Sequence, residues 1–101
     1  MARPRSELQT ILENILDVEV YFQPPDSTRM QYPCVVYGLD RGQTDRADDI
    51  LYKYTKRYQV TVIDRNPDSE LPDAVVALPM CEFERSFRSD NLNHYVFNLF
   101  F

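Results

Sequence analysis

The sequence predicts an α+β fold: a mostly antiparallel five-stranded sheet with two helices on one face (α-β-β-β-α-β-β) and a protruding β-hairpin. Three observations carry that expectation. Leu8, Ile11, Leu12, Ile15 and Leu16 recur at i, i+3, i+4, i+7 and i+8, the apolar stripe of a helix laid on a sheet. Later runs alternate apolar and polar residues with period two, the mark of half-buried strands. The longest, residues 52–64, reads Y-K-Y-T-K-R-Y-Q-V-T-V-I-D, with Tyr52, Tyr54, Tyr58, Val60 and Val62 on one face and only Lys56 and Ile63 breaking the alternation. At about 3.3 Å per residue that strand runs roughly 40 Å. A compact domain of about 100 residues is only about 30 to 35 Å across. One end should therefore project, and the end carrying Tyr52 and Tyr54 is the candidate because the Val60 and Val62 end is more aliphatic. A projecting aromatic arm predicts an assembly protein rather than an enzyme.

The first helix begins at Ser6-Glu7-Leu8-Gln9, which matches a capping box. Its wet face, with Glu7, Glu13 and Asn14, lacks the lysines and arginines that membrane-surface use favours. Val18 to Phe22 reads as a short strand ended by Pro24 and Pro25, which cannot donate ladder hydrogen bonds. Residues 23–31 form a polar loop. Pro33 holds Tyr32 extended, and Cys34-Val35-Val36-Tyr37 begins a second strand with so few polar side chains that both faces should be covered. Gly38 marks a bulge or a close backbone approach.

Residues 42–49, G-Q-T-D-R-A-D-D, carry the strongest loop signal and join the second strand to the long third one as a hairpin spanning 39–54. Asp45, Asp48 and Asp49 lack the alternating acidic spacing and central glycine of a calcium loop, so a solvated loop is expected. Asn66-Pro67-Asp68 is a turn. Ser69 can cap a short helix that tolerates Pro72 in its first turn, buries Leu71, Val75 and Leu78, and ends at Pro79. Cys81, Phe83 and Phe87 then alternate with Glu82, Glu84, Ser86 and Arg88 in a fourth strand. Ser89-Asp90-Asn91 is a tight turn. Residues 92–101 form the fifth strand, apolar on both sides, with Tyr95, Phe97, Leu99 and Phe101 on one face and Val96, Asn98 and Phe100 on the other.

The 101 residues make a single domain, residues 1–101, and 44% hydrophobic content excludes a disordered chain. With a formal charge of -5 and no run of more than two basic residues, the sequence lacks the stripe that phosphate binding requires. The first residues lack the apolar core of a signal peptide, and no apolar run reaches the ~20 residues of a membrane span. Cys34 and Cys81 sit inside strand patterns and read as reduced core thiols. His94, the one histidine, alternates with Leu92 and Val96 and reads as structural. Two glycines cannot build a phosphate-cradling loop. Asp64, Asp68, Glu82 and Glu84 lack the lysine that completes a metal-nuclease site. No catalytic residue, metal or cofactor is expected.

Several segments resemble the small tail-terminator, or tail-completion, proteins of long, non-contractile-tailed bacteriophages. They are V-Y-F-Q-P-P from Val20, Y-P-C-V-V-Y from Tyr32, Y-Q-V-T-V-I-D from Tyr58, Leu78-Pro79, and D-N-L-N-H-Y-V-F from Asp90. The resemblance implies a subunit of a hexameric ring in the tail-neck region of the virion, made in the host bacterial cytoplasm. Such a late structural protein caps the tail tube, ends its polymerisation, and offers the surface that joins the head. Its partners would be further copies of itself, the tail tube protein and the head-tail connector proteins of the neck. DNA would pass through the ring without specific binding, and no membrane is involved. Within that expectation, Arg41, Arg46, Tyr52 and Tyr54 on the hairpin would grip the tube or a neighbouring subunit. Leu99, Phe100 and Phe101 would lie at the ring interface. The competing expectations are a head-closure or adaptor protein of the same neck, and a monomeric α+β ligand-binding domain with a concave apolar pocket.

Overall fold

The computed structural model describes residues 4–25, 29–47 and 50–101, and for 41–47 and 50–55 the backbone alone. It has two helices and a five-stranded, mostly antiparallel sheet, in the predicted order. Helix α1 (Arg5–Leu16) is followed by β1 (Glu19–Phe22), β2 (Cys34–Ala47) and β3 (Ile50–Asp64). Helix α2 (Leu71–Val76), β4 (Cys81–Ser89) and β5 (Leu92–Phe100) complete it. The sheet order is β1-β2-β3-β5-β4, with β1 parallel to β2 and every other pair antiparallel.

Leu8, Leu12 and Leu16 of α1 are buried with Val75 of α2 against Val35, Tyr37, Tyr58, Val60, Val62, Phe97 and Leu99. Register places the strand residues of that cluster on one side of the sheet, since Tyr37, Val60 and Phe97 stand directly across from one another. Both helices therefore cover the same face. The expected stripe of α1 is narrower than its sequence, because Ile15 is 48% exposed.

The capping box at Ser6 does not form. Pro4 occupies the N-cap without a side-chain cap, and Ser6 lies in the first turn, its carbonyl accepting from the Thr10 hydroxyl at 3.1 Å. Gln9, expected to reach back to the backbone, instead accepts from the Tyr37 hydroxyl (2.5 Å) and donates to the Val20 carbonyl (3.2 Å). A half-buried pair of partners outcompetes a solvent-exposed N–H, whose bond to water costs nothing to keep. Asp17, in the left-handed region at φ 51°, closes the helix with its N–H on the Glu13 carbonyl.

Residues 42–47, expected as loop, are strand. They pair with β3 from Gly42 opposite Lys56 to Ala47 opposite Ile50, with register shifts between Leu39 and Arg41 and between Asp45 and Arg46. A strand pair satisfies its backbone across the ladder whatever its side chains, so composition concealed it. The fourth strand also departs from expectation. A register shift between Phe83 and Arg85 resets its alternation, so Phe83 faces the helices opposite Phe97 while Phe87 faces away opposite His94. Nothing on the outer side of β4 covers it among the described residues, and all of it after Cys81 is exposed. The fifth strand is an interior strand between β3 and β4, so its two edges are paired within the subunit, and Phe97 and Leu99 on its helix face are buried in the core. The Asp90–Asn91 turn, with φ 52° and 62°, has the two left-handed residues of a type I′ hairpin.

Candidate assembly surface

The sheet narrows to two strands along its long axis. Strand β5 pairs with β3 only from Arg57 to Asp64, and β1 pairs with β2 only from Cys34 to Tyr37. Outward of the Gly42–Lys56 rung, where the Phe101 N–H still donates to the Lys56 carbonyl, no strand besides β2 and β3 takes part in the ladder among the described residues. The molecule measures 51 × 27 × 24 Å. At the root of this extension Arg57 forms an ion pair with Asp40, its Nε donating at 2.8 Å and its second nitrogen closer still. The side chains of Arg41, Arg46, Tyr52 and Tyr54 lie outside the described residues, as do those of Asp45, Asp48 and Asp49.

Beside that root, Gln23 packs against Gly38. A Cβ on Gly38 would stand 3.1 Å from the Gln23 Cγ, and Gln23 Oε1 accepts from the Leu39 N–H at 3.1 Å. This is the close approach expected at Gly38. The register shift falls after it. The segment after β1 continues across the helix-free side of the sheet, where the Tyr21 hydroxyl accepts from the Gln31 N–H at 3.1 Å. Between this segment and β2–β3 lies an open cleft of about 520 Å³, lined by Gln23, Asp40, Gln59 and Thr61 as well as Pro24, Met30 and Val36.

Of the three residues expected at the end of β5, Leu99 is a core residue, 2% exposed and facing the helices. Burial within its own subunit removes it from any interface. Phe101 packs partly against the same core, and its N–H donates to the Lys56 carbonyl. Phe100 stands opposite Arg57, on the helix-free face, and is partly exposed. The residues missed by the sequence reading are those of β4. Phe83 is 53% and Phe87 43% exposed, and Met80 beside them is exposed too. Phe83 meets the Phe97 ring edge-on at 5.5 Å, and Phe87 stacks on His94 at 4.6 Å. The missed signal was the E-F-E-R-S-F-R pattern, whose charges on both faces fit a solvated edge better than a half-buried strand.

His94 also places Nδ1 3.2 Å from the Leu92 carbonyl. Cys34 and Cys81 are free thiols. They lie on β2 and β4 with two strands between, about 14 Å at the usual strand spacing and far beyond disulfide reach. Asp64 accepts from the Asn66 N–H and stands opposite Asn93, while Glu82 stands opposite Asn98. The suspected carboxylates are thus not gathered, and no group of metal-ligating side chains occurs among the described residues. No helix among them is long and apolar enough to cross a membrane. No family model matches the chain, and no curated protein sequence matches it.

Proposed function

We propose that this protein is a non-catalytic assembly subunit of the tail-terminator kind. It forms a six-membered ring on the end of a phage tail tube, stops polymerisation of that tube, and presents the surface that meets the head. The observation that carries this reading is the two-stranded extension of β2 and β3 beyond the five-stranded body. An arm of unshared backbone pairing contributes little to a subunit's own core. Its natural use is contact with another chain. The sequence resemblance supplies the identity of that chain, the tube and the neighbouring subunits. The net charge of -5 suits a channel that DNA crosses without sticking.

Mixing the purified protein with assembled tail tubes and imaging their ends by electron microscopy tests the reading. The expected result is a six-fold ring at one end of each tube and no further growth on adding tube subunits. Bare tube ends, with the protein bound instead to the connector of filled heads, would make it a head-closure or adaptor protein. Failure to bind either component would overturn the assembly role.

A further inference from the structure

Strand β4 ends the sheet with nine residues, and its outer N–H and C=O groups meet no other element among the described residues. It carries no proline, and Phe83 and Phe87 stand exposed on its two faces. Such an edge is a template for another strand. Its charges are segregated, with Glu82 and Glu84 in the first half and Arg85 and Arg88 in the second. Pairing β4 with a second β4 in parallel sets acid against acid, whereas antiparallel pairing sets acid against base. We propose that two free copies of this chain pair through their β4 edges, antiparallel, with Glu84 of each opposite Arg85 of the other.

The register shift in β4 is what permits this alignment. In a regular strand, a two-fold axis normal to the sheet pairs only residues of the same parity, which puts Glu84 on Glu84 or Arg85 on Arg85. Here the alternation is reset between Phe83 and Arg85. Cys81 and Phe83 share the helix face with Ser86 and Arg88, and Glu82 shares the other face with Phe87. Setting Glu84 opposite the second copy's Arg85 then brings Phe83 opposite Ser86, Glu82 opposite Phe87, and Cys81 opposite Arg88, with every outer pair on matching faces. Glu84 and Arg85 already lie 3.1 Å apart within one chain, both partly exposed, so each can be shared across the axis. The contact is isologous and so distinct from the head-to-tail contact of a ring. It would shield the edge until assembly and does not depend on the tail reading.

Charge reversal tests it, with sedimentation equilibrium on the full chain as readout. The parent should show a monomer–dimer equilibrium. Arg85→Glu and Glu84→Arg should each weaken the dimer about tenfold, since each sets like charges opposite one another twice. The double variant, which inverts both charges, should recover the parental affinity, and circular dichroism should show all four proteins equally folded. A parent with no two-fold species, or a dimer indifferent to both single reversals, overturns the proposal. So does failure of the double variant to recover. Shortening the hairpin should leave this dimer intact while removing tail binding, which separates the two ideas.

Discussion

Cys34 is wholly buried on the helix-free face, and burial pushes its thiol from 9.0 up to about 11. Burial does the same to Cys81, with the Glu82 carboxylate adding to it. Burial also raises the Tyr37 phenol, against the lowering effect of the hydrogen-bonded Arg5 guanidinium. The native state therefore holds these protons where the unfolded chain releases them. Their stabilising contribution is full below pH 9.0 and is lost as pH rises toward about 11. Denaturant midpoints should fall across that window, and fall less in the Cys34→Ala, Cys81→Ala double variant. A parent midpoint flat from pH 9 upward would contradict the burial of these thiols. Asn98 offers a second residue-scale prediction, because its Oδ1 is buried without a hydrogen-bond partner among the described residues. Asn98→Val should stabilise the monomer by about 1 kcal/mol, removing an orphaned acceptor and adding a β-branched side chain. Thermal melts of dilute protein would show it.

At the scale of elements, Gln9 is the tie between α1 and the sheet, joining the Tyr37 hydroxyl and the Val20 carbonyl. Arg5 reinforces the tie, lying over the Phe22 ring and donating to the Tyr37 hydroxyl at 3.0 Å. Gln9→Ala leaves a buried hydroxyl and a strand carbonyl short of partners and should cost about 1–3 kcal/mol. Gln9→Glu should retain part of that, and equilibrium urea unfolding would rank the two. The hairpin is separable from the body in the opposite sense. No rung outward of Lys56 is shared with β1, β5 or Phe101 among the described residues, so joining β2 to β3 by a tight turn in place of residues 43–54 should leave the melting cooperative and the sheet intact. The same variant should fail to cap tails, giving overlong or headless tails on complementation. Normal tails from it would reduce the arm to a surface ornament.

For the whole molecule, the question is which apolar surface remains after the subunit has folded. Sheet order answers it, since β5 is sandwiched and β4 is exposed. Phe100, on the helix-free face, is the residue of the C-terminal trio whose change to a charge spares the core; Leu99 and Phe101 are engaged with it. Phe100→Asp should weaken the ring on tail ends while leaving the monomer within about 1–2 kcal/mol of the parent, whereas Leu99→Asp should unfold it. Electron microscopy of tail ends together with monomer melts distinguishes the two. A Phe100→Asp protein that caps tails like the parent would move the ring contact elsewhere.

The order of elements, the helix-covered face and the excess length of the third strand were legible in the sequence, because each follows from local periodicity. Leu8, Leu12 and Leu16 repeat with the helix, and Val60 and Val62 with the strand, whatever surrounds them. The two-sided burial of Cys34, Val35 and Tyr37 was legible for the same reason. What lay beyond reach depended on neighbours distant in the chain. Whether the edges of β5 are paired within the subunit or free for another is a question of strand order, and identical residues serve either answer. Whether Gln9 caps its own helix depends on a tyrosine 28 residues away being placed within reach. The strand character of residues 42–47 and the reset in β4 arise from cross-strand hydrogen bonding, which lets a polar segment pair and one extra residue exchange the faces of all that follow. Periodicity thus sets which residues want burial, and only the assembled sheet decides which of its edges and faces are left without it.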